Sequence, residues 1–204
     1  SSGLNCPDAV LKALGERFDR EQHPRRLTML HPIAAGDMFG IRGVDHIAKP
    51  GLMARIIGGS YPSGPSTSEP PRIWQMLGNN EVAAYNVPSG IMFDLMREAA
   101  AKRPGVITKV GLDTFVDPDQ EGCAMNGAAA AAPIVRKIEF DGEDWLYFPS
   151  IVPHVAIIRG SVCDERGNLS FGQEGAYLGA MELALAAHNN GGIVIAQVRQ
   201  IAEN

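Results

Sequence analysis

The chain is poor in cysteine. Cys6, Cys123 and Cys163 are an odd number with no C-x-x-C among them. That pattern argues against a disulfide framework or a thiolate zinc site and fits a reducing cytoplasm. The five histidines (His23, His31, His46, His154 and His188) are scattered, without H-E-x-x-H or paired ligand spacing, so no metal is expected. No apolar run approaches the roughly 20 residues that cross a bilayer. The opening residues, Ser1 to Pro7, lack the basic and apolar regions of a signal peptide. Positive charge is in deficit: 18 Lys and Arg face 23 Asp and Glu, a net charge of −5. Binding a nucleic-acid backbone needs a basic face, and this balance offers none. Neither nucleic acid nor membrane is expected as a partner. Local catalytic signatures are missing as well: there is no G-x-S-x-G, no G-x-x-x-x-G-K-[ST] and no G-x-G-x-x-G after a strand. Ser60, Ser63 and Ser89 lie in Gly/Pro contexts with no identifiable base, which makes them poor nucleophiles.

What is present is a chain of 204 residues, 45% hydrophobic and 20% charged. That suffices for one sizeable core or at most two small domains. Helix-like and strand-like segments alternate, which predicts an α/β fold: an open, mainly parallel sheet with helices on both faces. Val10, Leu14 and Phe18, with Leu11 beside them, predict a helix over 8–18. Leu27–Leu30 reads as a short buried strand ending at His31-Pro32. Ile91, Leu95, Met96 and Ala99 give a helix over 90–101, stopped by Arg103-Pro104-Gly105 ahead of Val106–Val110.

Val155–Arg159 and Ile193–Val198 are continuous apolar runs, as expected of interior strands covered on both faces. Between them, Asp164–Asn168 predicts a surface turn. Glu174–Asn189 predicts a helix whose small stripe (Ala176, Ala180, Ala184, Ala187) faces the sheet, and Asn189-Asn190-Gly191-Gly192 ends it. Strand, helix and strand at this spacing form a crossover unit. Ser60–Arg72, rich in proline and serine, is expected to be a loop, and such long loops often bind ligands. Ala128–Ala132 reads as a flexible linker. The first segment opens in a loop feeding a helix where a doubly wound unit has a strand. The last strand, very apolar, needs neighbours for its ladder. A fragment, or one subunit of a larger assembly, is expected.

Four stretches carry a longer-range signal. They are Arg25-Arg26-Leu27-Thr28 with the later Gly43–Ala48; Ile57-Gly58-Gly59-Ser60; Lys109–Pro118; and Pro149-Ser150 through Val198. The last includes Gly167-Asn168-Leu169-Ser170 and Asn190–Val198. In this order they resemble the family I CoA-transferases, particularly the single-chain acyl-CoA:acetate/3-oxoacid type. G-L-x-T-F-V-D-P together with G-G-I-V-I-A-Q-V is the specific pair.

The resemblance implies that residues 1–204 are an N-terminal CoA-transferase domain of an oligomeric enzyme in short-chain acid and ketone-body metabolism. It implies ping-pong transfer of coenzyme A from an acyl-CoA to a small carboxylic or 3-oxo acid, without metal or redox cofactor. A glutamate, carried as a glutamyl-CoA thioester, lies in the second half of such enzymes, so the chain alone is expected to be inactive. Glu174-Gly175 imitates its setting. Glu174 can be read as that nucleophile, or as a helix-cap or interface residue at a helix start. The catalytic glutamate is expected outside this chain, on a C-terminal half or second subunit.

Substrate contacts implied by the resemblance are Gly3, Leu4 and Asn5 in a Gly-rich loop that donates N–H groups to the acyl oxygen. To these it adds Gly58, Gly59, Ser60, Ser89 and Gly90 in turns at the acyl pocket, with Ser89 sizing the acid. Thr114 and Phe115 are core or pocket wall, and Asp113 and Asp117 are turn-formers or ligands. The loop Ser2–Asn5 and the turns Gly58–Ser60 and Pro88–Gly90 are expected to converge on one cleft, the alternative being unrelated surface turns. An acyl-CoA hydrolase of the same fold and a non-catalytic regulatory half are the competing functions.

Overall fold

A computed structural model of the chain describes residues 4–37, 40–62 and 70–203. The first helix, α1 (Asp8–Glu21), buries Leu11, Gly15 and Phe18. Val10 and Leu14 flank that stripe half-buried. Gly15 is the point of closest approach. A Cβ there would collide with the carbonyl oxygen of His46, so α1 meets the 3-10 turn Gly43–Ile47 backbone to backbone. Asp8 fixes the same contact by accepting the Gly43 N–H at 2.6 Å and facing His46 Nε2 at 3.2 Å.

Strands β1 (Leu27–His31), β2 (Met53–Gly58) and β3 (Ala83–Asn86) form a parallel sheet in that order. Helix α2 (Arg72–Gly78) connects β2 to β3, and α3 (Ser89–Ala100) follows β3. Neighbouring strand residues point to opposite faces. Ile56 and Ala84 join a core with Leu11, Phe18 and Ile73, while Ile57 and Tyr85 join another with Ile91, Leu95 and Met96 of α3. Both faces are thus covered by helices, and the open parallel α/β architecture is the one the alternation implied. β1 itself is mostly half-buried rather than buried, because among the described residues it pairs on one side only.

An antiparallel sheet of β4 (Gly105–Thr108), β5 (Arg136–Phe140) and β6 (Glu143–Pro149), in the order β4-β6-β5, stands beside it. Asp141 and Gly142, both at positive φ, turn β5 into β6. The alanine run before β5 is not a linker. It forms α4 (Gly127–Ala130), capped by the Asn126 side chain, which accepts the Ala129 N–H. The same amide donates to Leu77 O and Val82 O at 2.9 Å each, so contacts distant in sequence hold the helix.

The last third contains β7 (Val155–Arg159), β8 (Val162–Asp164), β9 (Leu169–Ser170), α5 (Ala180–His188), β10 (Ile193–Gln197) and β11 (Gln200–Ala202). The Asp164 carboxylate closes the β8–β9 turn by accepting the N–H groups of Arg166 and Asn168 and the Asn168 amide.

Three expectations are corrected here. The helix begins at Ala180, not Glu174; Gly179 at φ +78 precedes it, and Glu174 and Ala176 lie in the loop before it. Its buried residues are Ala180, Ala186 and Ala187, with Ala184 half-buried, because α5 packs on α3 as well as on β7 and β10. Asn189 and Asn190 tie that packing by donating to Ala100 O and Ala99 O. Finally, β7 and β10 pair in parallel only with each other, so neither is interior among the described residues, and Ile193 is 59% exposed.

Candidate functional site

In an open parallel sheet the loops at the carboxyl ends of the strands form the binding face. Three such ends meet here around the carbonyl of Pro32, which follows β1. Ser89 at the start of α3 donates its hydroxyl to Pro32 O at 2.8 Å. Ser60 Oγ, after β2, accepts the Ala34 N–H at 2.9 Å. Gly59 N–H donates to His31 O at 3.0 Å, and Val87 N–H to Gly58 O at 2.8 Å. Gly59 is required by packing: a Cβ would fall inside van der Waals contact of both Pro32 O and Ser89 Oγ. Gly58 lies under the His31 ring, where a Cβ would sit 2.5 Å from His31 Cε1. The two turns therefore form one structural unit. Gly90 differs, since a side chain there would meet open space.

His31 belongs to no sequence motif, yet it sits at the centre of this cluster. It is buried, stacks edge-on against Tyr61 at 5.4 Å between ring centroids, and neither ring nitrogen has a hydrogen-bond partner. Burial pushes its pKa down to about 4, so the ring is neutral near pH 7. Tyr61 in turn donates its hydroxyl to Tyr85 O at 2.8 Å, which ties the loop after β2 to β3. His31-Pro32 was legible only as the end of a strand, and the stacking comes from residues thirty positions apart.

Asn5 lies at a different place, near the carboxyl end of β7. Its amide donates to Tyr177 O at 3.1 Å, and the neighbouring Cys6 carbonyl meets Arg159 Nη1 at 3.4 Å. Asn5, His31 and Pro32 line one large cavity, so the Asn5 loop and the Pro32 cluster border a common space. Leu4 is exposed and rests against Gly175. Ser2, Gly3 and Ser63 lie outside the described residues. Thr114 and Phe115 sit elsewhere, beyond the end of β3. Thr114 donates to Gly111 O at 2.7 Å within its own turn, and Phe115, 43% exposed, lines an open concavity with Asn86, Gln120 and Cys123.

The acidic residues of that turn are structural. Asp117 is buried, accepts the Asp113 and Asp119 N–H groups and pairs with Lys137 at 3.0 Å. Burial works to raise its pKa, but these partners together outweigh it and hold the carboxyl below its ordinary value. Glu174 is engaged as well. Its carboxylate is buried; Oε2 pairs with Arg159 Nε at 3.1 Å and ties the 171–179 loop to the end of β7, while Oε1, 3.9 Å from Arg199 Nε, has no hydrogen-bond partner. Cysteine chemistry is disfavoured at this end of the sheet: burial, reinforced by the Asp8 carboxylate, pushes the Cys6 thiol up to about 12.

Residues 18–204 match the family model described as coenzyme A transferase. The acetate CoA-transferase YdiF of Escherichia coli (strain K12) is 36% identical over 201 residues, 98% of this chain and 36% of that protein. The caffeate CoA-transferase of Acetobacterium woodii is 40% identical over 192 residues, 94% of this chain and 35% of that protein. Among solved structures, the acyl-CoA transferase YdiF of E. coli O157:H7, as a thioester complex with CoA, superposes with a TM-score of 0.85 at 35% identity. That superposition covers 97% of this chain and 37% of that one. The chain thus spans little more than a third of the length of these relatives, and within that third it belongs to the coenzyme A transferase family.

Proposed function

We propose that this chain forms the acyl-binding side of a CoA-transferase site in an oligomeric, cytoplasmic enzyme. The observation that carries this reading is the cluster of β1, β2 and β3 ends locked around Pro32, on a chain that the family model matches over 18–204. Gly58, Gly59 and Ser60 give a backbone approachable by a small acyl group, and Ser89 sets the width of the pocket by anchoring α3 to Pro32. Asn5 borders the same space near the carboxyl end of β7 and contributes its N–H toward the acyl oxygen in this reading. Phe115 forms a wall of the neighbouring concavity, and Thr114 braces the turn that carries it. No helix among the described residues is long and apolar enough to cross a membrane.

The chemistry fits two carboxylates and a thioester. A glutamate outside this chain, on a C-terminal half or second subunit, attacks the acyl-CoA carbonyl, expelling CoA thiolate and leaving an acyl-glutamyl anhydride. The thiolate then attacks the glutamyl carbonyl and releases the acyl group as free acid, leaving a glutamyl-CoA thioester. An acceptor carboxylate runs the same steps in reverse. No electron or metal is required. Glu174 does not serve as this nucleophile in our reading, because its carboxylate is buried and already paired with Arg159.

Incubating the complete polypeptide with an acyl-CoA and reading the intact mass tests the proposal. A CoA-sized adduct on the part outside residues 1–204, discharged by acetate faster than by water, is expected. An adduct on Glu174, or discharge by water alone, would overturn the assignment.

A further inference from the structure

Strand β5 has an open side. Among the described residues it pairs with β6 alone, whereas the outer edge of β3 is closed by the 123–125 segment. The β5–β6 turn says which backbone groups point outward. Asp141 and Gly142 are both at positive φ, as in a two-residue type I′ loop, so Phe140 and Glu143 flank it as a hydrogen-bonded pair. Antiparallel ladders alternate, so Ile138 and Arg136 also bond to β6. Beyond the other end of β6, Ser150 N–H donates to Pro104 O at 2.8 Å, which turns the even-numbered residues of β6 toward β4 and agrees with that alternation. The N–H and C=O of Lys137 and Glu139 therefore face outward, and they meet no backbone partner among the described residues.

The strand's own sequence complements these outward groups. Antiparallel pairing with an identical strand, about a two-fold axis at Ile138, sets Lys137 opposite Glu139 of the second copy on both sides of the axis. Each such pair exchanges two backbone hydrogen bonds, four in all. Opposite charges directly across a ladder stabilise it, and like charges oppose it. Centred one residue to either side, the pairing sets Lys137 against itself or Glu139 against itself. Lysine on an edge strand usually keeps other strands away. Here the Lys137 ammonium is turned onto Asp117 and Asp119, and the third of its three N–H donors remains for Glu139 of the second copy. On the outer face the same register sets Ile138 against Ile138 and Arg136 against Phe140. Phe140 is 55% exposed beside Trp145, and Arg136 already lies over the Tyr147 ring at 4.9 Å. A guanidinium near an aromatic ring is favourable.

We propose that the open edge of β5 is the two-fold interface of a homodimer, in which β5 pairs antiparallel with β5 of a second copy about Ile138. The two antiparallel sheets then become one, in the order β4-β6-β5-β5-β6-β4. The occupant is a second copy because the same five residues supply both members of every facing pair. Such an isologous contact closes on itself and does not propagate into fibres. The inference deepens the oligomeric part of the proposed function and rests on that reading, and it makes no use of the transfer chemistry.

The test uses the complete polypeptide. Ile138→Cys puts a thiol on the axis at a non-hydrogen-bonded pair, where opposed Cα atoms lie about 4.5 Å apart, within disulfide range. In Phe140→Cys the two thiols sit four residues out of register, roughly 13 Å apart or more, so that variant is the control. Diamide takes up the two electrons and two protons released when the disulfide forms. Ile138→Cys is expected to give a covalent dimer with a 138–138 disulfide on peptide mapping, and Phe140→Cys none. Glu139→Pro removes two of the four seam bonds but leaves β5–β6 intact, because an edge strand tolerates proline where its N–H faces outward. Its dimer dissociation constant by sedimentation is expected to rise at least tenfold. Glu139→Lys, which meets Lys137 across the seam, should also weaken the dimer, and it carries the test if the proline variant fails to fold. A monomeric polypeptide, the absence of the 138–138 disulfide, or unchanged dissociation constants would each overturn the proposal. So would slow, concentration-independent exchange of the Glu139 amide, which makes another part of the same polypeptide the occupant. A 138–138 disulfide without a CoA adduct fails the transfer reading alone, and the adduct without the disulfide fails this inference alone.

Discussion

Gly59 and Gly90 flank the same candidate pocket, yet alanine should affect them in opposite ways. At Gly59 the new methyl would press on Pro32 O and Ser89 Oγ and lie 3.0 Å from Ser89 Cα. Two of those three atoms are backbone and cannot swing aside. Overpacking of this kind costs about 1–3 kcal/mol. Moving the Pro32 carbonyl also weakens its 2.8 Å bond from Ser89, worth about 1 kcal/mol. The total for Gly59→Ala is about 2–4 kcal/mol. Gly90 is the second residue of α3 and a methyl there meets nothing within 4 Å. Alanine in a helix is favoured over glycine by about 0.5–1 kcal/mol, so Gly90→Ala should be neutral or stabilising. Urea unfolding with linear extrapolation measures both. The double variant Gly59→Ala/Ser89→Ala removes the hydroxyl clash but keeps the carbonyl one, so it should recover only part of the loss. A Gly59→Ala chain within about 0.5 kcal/mol of the parent would refute the argument that the turns are locked through Pro32.

Two further outcomes follow from burial. Ala186, fully buried where α5 meets α3, should resist enlargement: Ala186→Leu is expected to cost roughly 1–3 kcal/mol, and an unchanged thermal midpoint would show that the helix face is misassigned. His31, whose folded pKa lies near 4 against 6.5 in the unfolded chain, contributes full stability above pH 6.5. That stability is lost as pH falls through 4, by roughly 3 kcal/mol at most. His31→Phe keeps a ring against Tyr61 and should flatten this part of the pH–stability curve, whereas an identical acid limb in both proteins would place the titration elsewhere.

Sequence alone determined the elements whose signal is local. The 3.6-residue period of Ile91, Leu95, Met96 and Ala99 marks α3, and all four are buried. The apolar runs of β7 and β10 appear as strands paired in register from Val155 with Ile193 to Arg159 with Gln197. Family membership was also legible, because G-L-x-T-F-V-D-P and G-G-I-V-I-A-Q-V are contiguous strings. The β5–β6 hairpin has a local sign in Asp141-Gly142, both at positive φ. The rest depended on contacts between distant residues. The alanine run is helical because Asn126 reaches Leu77 and Val82 some forty residues away. Glu174 could be read as a helix start from its neighbours, yet it lies in a loop where Arg159 pairs with it. Only the tertiary structure decided that Gly59 needs to be glycine while Gly90 does not, and that among the described residues β1 and β7 each keep one edge without a ladder partner. A strand's hydrophobicity records that both faces are covered, but ladder partners are chosen by backbone groups that every residue carries alike, so the sequence of the strand does not say which edge remains open.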